Sequence, residues 1–297
     1  MPINQLVQYC LDNYNKDGRC GTCRNDCKCI GMEDCYLCIK HIHAINTTDR
    51  KYNCDNIVYN YVIKHLYRYS SEIERLFDQF ESLKRVQNFR IASIGCGPCS
   101  ELFGIKQFIA KNHLTPTLEY IGFDFNQQWN QIQNQIIEIF DDTIQFLNED
   151  VFSYYDQQPD RMPNVLILNY VLSDIVKFNR EGVENFITQL LDLFQRMNNS
   201  CIIINDISYY ERNILNRNTW RALNYMNFIH DSLTDNQLVQ YHKSRYYFVP
   251  QSGSGIIYGS RHPSKLLTSE IINEAHLFDP FKCCGSFQLF ILKQSRE

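Results

Sequence analysis

Between residues 89 and 101 the chain reads FRIASIGCGPCSE, an apolar run that meets Gly95 and Gly97 and passes at once into a helical stretch. A strand that turns this sharply needs backbone angles that glycine adopts freely, and a residue without Cβ lets a ligand approach the main chain. About 27 residues further on, IGFDFN sets Asp124 at the end of the next apolar run. In an open parallel sheet, ligands lie across the C-terminal strand edges, where an acid after the second strand accepts hydrogen bonds from two ribose hydroxyls. A bare Gly-x-Gly is also compatible with a turn that binds no nucleotide. Strand, turn, helix and acid in this order favour a nucleotide-like ligand.

The rest of the chain keeps the same rhythm. Short apolar runs at 89–95, 119–124, 143–148, 164–169 and 201–206 alternate with helical patterns near 99–112, 127–140 and 181–197, which predicts a doubly wound α/β sheet. SFQLFILK at 286–293 is a last strand with no crossover helix after it. Some 80 residues separate Asp206 from Ser286, including a helical pattern at 211–230, and connections of that length cover sites or bind partners. Upstream, residues 3–15 predict a short helix, and apolar positions from Val58 to Leu83 recur at helical spacing. Ser71 with Glu74 reads as a capping box, predicting two helices, 55–69 and 71–87. Tyr59, Tyr61, Tyr67 and Tyr69 read as packing surface. With 44% hydrophobic and 21% charged residues the composition is that of a folded globular chain. No window has the roughly 18 apolar residues of a membrane span. The start has neither a basic flank nor an apolar run of export-signal length, so the expected location is cytoplasmic.

At Gly95, Gly97 and Asp124 the sequence resembles the class I S-adenosylmethionine-dependent methyltransferases, from about Phe89 to the C-terminus. The resemblance implies a Rossmann-like, seven-stranded sheet with an antiparallel last strand. It implies that Gly95, Cys96 and Gly97 flank the methionine part of the cofactor. Asp124 then holds the ribose, Phe125 and Asn126 follow at the adenine edge, and Glu149, Asp150 and Val151 match the segment that contacts the adenine. Asn169 and Tyr170, leaving the fourth strand, match the segment facing the transferred methyl group. Two positions depart from the family pattern: Ser93 stands where an acid is common, with Glu101 as a substitute, and Cys99 stands in place of a third glycine. A nicotinamide dinucleotide site, which seats a pyrophosphate on a similar turn, is the competing reading.

Methyl transfer asks chiefly for alignment, exclusion of water and, for some acceptors, removal of a proton. Tyr170 and Asp174 are the candidate catalytic residues, Asp174 being equally a helix cap. The Asn/Asp-Pro-Pro-aromatic motif of enzymes that methylate exocyclic amines is absent from LILNYVLSDI. Cys96 and Cys99 read as loop packing rather than nucleophiles, since nothing adjacent would lower a thiol pKa.

Of 13 cysteines, Cys20, Cys23, Cys27, Cys29, Cys35 and Cys38 crowd into one short stretch, followed by His41, His43 and Cys54. Two Cys-x2-Cys knuckles are sufficient for one tetrahedral zinc site, and the surplus ligands leave room for a second ion. An iron–sulfur cluster and disulfides are the alternatives. The expected organisation is a Cys-rich zinc-binding module over 1–54, helices over 55–87, and a methyltransferase domain over 88–297 whose 207–285 segment is an insertion or lid. The net charge of -4 is concentrated centrally, with 7 basic against 14 acidic residues between 89 and 204, and gives no broad nucleic-acid footprint. The helical pattern at 211–230 adds Arg212, Arg217 and Arg221, of which Arg217 and Arg221 share one face, and the expected acceptor is an RNA or a protein positioned by the metal module. A small-molecule methyltransferase stapled by zinc and a non-catalytic cofactor-binding subunit are the other readings.

Overall fold

The computed structural model describes residues 1–15, 52, 54–140, 143–179, 181–207, 217–234, 239–248, 265–281 and 284–293. Its helices are α1 (Pro2–Asn13), α2 (Asp55–Asp78), α3 (Glu81–Lys84), α4 (Ser100–Lys111), α5 (Asn130–Phe140), α6 (Val151–Gln157), α7 (Leu172–Phe178), α8 (Val183–Arg196), α9 (Arg217–Thr234), α10 (Lys265–Ser269) and α11 (Asn273–His276). Its strands are β1 (Asn88–Ile94), β2 (Thr117–Phe123), β3 (Thr143–Leu147), β4 (Val165–Asn169), β5 (Ser200–Ile207), β6 (Val239–Phe248) and β7 (Cys284–Lys293). They join one sheet in the order β3-β2-β1-β4-β5-β7-β6. The first five are parallel, and β7 runs antiparallel to β5 on one side and to β6 on the other. Order reverses between β1 and β4, and at such a switch point open α/β sheets take their ligands at the C-terminal strand ends.

Alternation along the strands builds two cores. Phe89, Ile91, Ile167, Ile203 and Phe290 face α1, α2, α4 and α5, whereas Ala92, Ile94, Leu166, Leu168, Ile202 and Ile204 face α6, α7, α8 and α9. Burial of both sheet faces is why these strands read as continuous apolar runs. The five parallel strands fall where the sequence placed them. The 207–285 segment, expected to be an insertion, contributes β6 to the sheet, and α9 packs into the second core. Likewise, α1 is not separate from the domain: Ile3, Leu6, Val7 and Cys10 are buried in the first core beside Val58 and Val62 of α2.

The two-helix expectation is corrected. The helix does not break at Ser71, because the Ser71 hydroxyl donates back to the Arg68 carbonyl at 2.7 Å and Glu74 pairs with Lys111 Nζ at 2.8 Å instead of closing a capping box. The result is a 24-residue helix buried on almost every side. It lies directly on α4, where Gly104 allows the contact: a Cβ there would collide with the Ser70 carbonyl and stand 3.0 Å from the Glu74 nitrogen. The Gly104→Ala variant should lose about 1–3 kcal/mol of stability, the usual cost of overpacking a tight contact. Urea denaturation measures this, and a midpoint equal to wild type would contradict the close packing.

Candidate functional site

The turn after β1 extends the sheet before it becomes a helix. Gly95 and Cys96 both donate backbone hydrogen bonds to the Phe123 carbonyl, at 2.7 and 3.2 Å. Gly95 has φ +62° and Gly97 φ +48°, the left-handed region. A Cβ on Gly95 would overlap the Val171 side chain, so this glycine is also required by the loop leaving β4. Cys99, in the third glycine position, takes φ 54° at the cap of α4 with its side chain buried. It adopts the glycine conformation without being glycine.

Asp124, just past β2, closes the turn. Its Oδ2 accepts from the Gly97 amide at 2.8 Å and its Oδ1 from the Asn126 amide at 2.8 Å. Burial pushes this carboxyl above its ordinary range, opposed by those two hydrogen bonds. Beside it Phe125 is 72% exposed, an apolar plane open to solvent. Trp129 covers the far side of Gly97, with Tyr52 and Tyr61 packed against it at ring-centre distances of 5.3 and 5.6 Å. The Tyr52 carbonyl accepts from Asn126 Nδ2 at 2.9 Å, so the chain entering α2 is tied to the loop that follows Asp124.

The loop leaving β4 is equally constrained. Asn169 donates to Ser100 Oγ and accepts from Asn205 Nδ2, at 2.9 and 2.8 Å. Tyr170 takes φ +59°, its amide donates to the Asn205 carbonyl at 2.7 Å, and its ring stacks on Tyr69 at 3.7 Å. The helix cap that sequence offered to Asp174 belongs instead to Asp206, buried at the end of β5, whose Oδ2 accepts from the Ser173 amide at 2.8 Å. Asp174 lies half-buried in the first turn of α7, within electrostatic reach of Tyr52 and Tyr61.

The fold therefore brings Gly95, Cys96, Gly97, Asp124, Phe125, Asn126, Asn169, Tyr170 and Asp174 to one edge of the sheet. Glu101 stands apart from that opening: it is buried under the turn, accepting from Ser93 Oγ at 2.6 Å and Tyr120 OH at 2.5 Å. Its carboxyl group thus lies beside Ser93 of β1. Asp150 caps α6 through the Ser153 amide at 2.9 Å, and Val151 is buried in the second core. Cys96 is buried, and burial pushes its thiol well up, in keeping with packing rather than nucleophilic chemistry. Cys20, Cys23, Cys27, Cys29, Cys35, Cys38, His41 and His43 lie outside the described residues, as do the side chains of Arg212, Arg217 and Arg221. Cys54 is buried at the cap of α2, and no metal-ligating group of three is present among the described residues. Sequence reasoning missed Glu72, Asn205, Asp206, Tyr52 and Trp129. Glu72 carried one signal: it sits three residues after Tyr69 on the apolar stripe, where a carboxylate has no ordinary place.

No family model and no curated protein matches the chain. Similar solved structures include the plantazolicin methyltransferase BpumL in complex with a monoazolic desmethylPZN analog and SAH, at 15% identity over 78% of this chain and 85% of that one, TM-score 0.44. The O-methyltransferase TomG from Streptomyces achromogenes, in complex with SAM, is 11% identical over 76% and 79%, TM-score 0.42. The 16S rRNA methylase RmtB is 11% identical over 75% and 62%, TM-score 0.39. At such scores these likenesses decide nothing about the reaction or acceptor of this chain.

Burial pushes the Glu101 carboxyl above its ordinary range, against the hydrogen bonds from Ser93 and Tyr120. The folded protein therefore keeps a proton there that the unfolded chain releases above about pH 4, and stability falls as pH rises through the folded-state value. Glu101→Gln retains an acceptor for both hydroxyls and removes that slope. Its urea midpoint should exceed the wild-type value at neutral pH and converge with it toward about pH 4; a constant gap would contradict the assignment.

Proposed function

We propose that this chain is an S-adenosylmethionine-dependent methyltransferase. The observation that carries the reading is the Asp124 carboxylate, held by the Gly97 and Asn126 amides at the crevice where strand order reverses. The residues present fit the cofactor. Each Asp124 oxygen spends one lone pair on a backbone amide and keeps another for a vicinal hydroxyl pair. Gly95 and Gly97 leave the turn without side chains, and Phe125 offers an exposed ring beside the acid. Gly95, Cys96 and Gly97 would hold the methionine part, Asp124 the ribose, and Phe125, Asn126 and the Asp150–Val151 segment the adenine. Asn169 and Tyr170 would border the reacting methyl, with Asp174 across from them. When bound, the cofactor supplies a methyl group already activated on a sulfonium; the protein aligns a nucleophile with it and excludes water.

For the acceptor we favour a macromolecule, RNA or protein, presented by the Cys-rich segment with one or two zinc ions. Support comes from where that segment's ends are fixed: Asn15 and Asn56 exchange hydrogen bonds of 2.8 and 2.9 Å, and Tyr52 is tied to Asn126 beside the cofactor turn. A small-molecule acceptor is the second reading.

Titration calorimetry with S-adenosylmethionine tests the first claim. Asp124→Ala should weaken binding about 100-fold or more, as two hydrogen bonds to a charged acceptor are each worth about 1.5–3 kcal/mol. Equal binding by the variant would overturn the reading. Tritiated methyl transfer into separate RNA, protein and metabolite pools tests the second, and label confined to metabolites would refute the macromolecular proposal. Metal analysis of the purified full chain should give one or two zinc ions; fully folded, metal-free protein would end the zinc proposal.

A further inference from the structure

The sheet face toward α2 is apolar until its upper edge. There β1, β4, β5 and β7 place Ser93, Asn169, Asn205 and Gln288 on one side, beyond Ile91, Ile167, Ile203 and Phe290. Asn169 is level with Asn205, and Asn205 with Gln288. Two of these polar groups bond to one residue of α2, and a third joins through one of them. The carboxylate of Glu72 is fully buried, its Oε2 accepts from Asn205 Nδ2 at 2.8 Å, and its Oε1 accepts from the Tyr170 hydroxyl at 3.1 Å. Gln288 Nε2 donates to the Glu72 carbonyl at 3.3 Å, and Asn169 joins through Asn205. Arg68 Nε stands 3.9 Å from the carboxylate, and Tyr69 and Ser286 also face it.

A buried carboxylate is a poor means of stabilising a helix, since apolar side chains of similar volume do as well or better. Its position accounts for its presence. Tyr170 is held in a left-handed conformation that is strained for a non-glycine residue, and Glu72, Tyr69 and the Asn205 carbonyl hold it there. The next residue, Val171, fills the space over Gly95, so the Tyr170 loop and the cofactor turn are one surface.

We propose that Glu72 is a positioning residue and proton store at the acceptor end of the site, taking the phenolic proton of Tyr170 when Tyr170 receives one from a hydroxyl or amine acceptor. The proposal rests on the methyltransferase reading and adds to it the acceptor class: an atom that must lose a proton as it is methylated. The protons balance. The acceptor's O–H or N–H proton passes to the Tyr170 oxygen, the phenolic proton passes to Glu72 Oε1, Tyr170 ends unchanged, and Glu72 ends neutral until it exchanges with water. Burial pushes the Glu72 carboxyl up, against Arg68, Asn205, Tyr170 and Ser286, which moves it toward the range useful to a base near neutral pH.

The test compares S-adenosylmethionine, which carries a cationic sulfur, with S-adenosylhomocysteine, which does not. Calorimetry of the full chain in phosphate and in Tris between about pH 5.5 and 7.5 counts protons exchanged on binding. A cation beside Tyr170 favours ionised Glu72, so the wild type should release more protons with the sulfonium ligand. Glu72→Gln should abolish that difference, keep S-adenosylhomocysteine affinity within about two-fold, and lower tritiated methyl transfer about 100-fold or more. Should that variant fail to fold, Tyr170→Phe, which keeps the stack on Tyr69, should show the same loss of transfer with the thioether ligand still bound. No proton difference in the wild type, its persistence in Glu72→Gln, or wild-type transfer by Tyr170→Phe would overturn the proposal while cofactor binding stood. Failure of the wild type to bind either ligand would instead remove the methyltransferase reading, and this proposal with it.

Discussion

A 2.8 Å hydrogen bond from the Gly97 amide to Asp124 joins the turn after β1 to the end of β2, and the site depends on it. The bond fixes a carboxylate against a backbone that has no side chain to shield it. Phe125 and Asn126 are placed by the same carboxylate, since Asn126 also donates its amide to Asp124 and then anchors Tyr52. Trp129 closes the turn from one side and the Val171 side chain from the other. Every element bordering the crevice is thus tied to a turn that only small or left-handed residues can make.

The second constraint is the burial of α2. By lying on α4 at Gly104 it covers the polar upper edge of the sheet and carries Tyr69 and Glu72 to Tyr170. A helix from outside the α/β alternation therefore borders the Tyr170 loop. The long helix also links the two ends of the site, because Tyr61, His65 and Tyr69 form a row of rings from Trp129 to Tyr170.

Much of this was legible in the sequence, for local reasons. The five parallel strands are buried on both faces and stand out as apolar runs, and Gly95, Gly97 and Asp124 announce themselves by order along the chain. What escaped depends on distance. Glu72 meets Tyr170 and Asn205 across 98 and 133 residues, so no local pattern reveals that its carboxylate is buried. Asp206 displaced Asp174 as the cap of α7 for the same reason: a side chain from the neighbouring strand reached the amide first. β6 was overlooked because VQYHKSRYYF carries His, Lys and Arg, the charged composition typical of a sheet edge. Ser71 and Glu74 gave a valid capping signal that tertiary contacts overrode.

The central claim is that one crevice, formed by the turn at Gly95–Gly97, the Asp124 loop and the Tyr170 loop, takes up the cofactor. Hydrogen exchange of the full chain with and without S-adenosylhomocysteine tests it most directly. Protection should rise together in peptides covering 94–101, 123–129 and 169–174, and stay unchanged in α9. Protection confined to other segments, or absent from the Gly97 and Asp124 peptides at saturating ligand, would contradict the account.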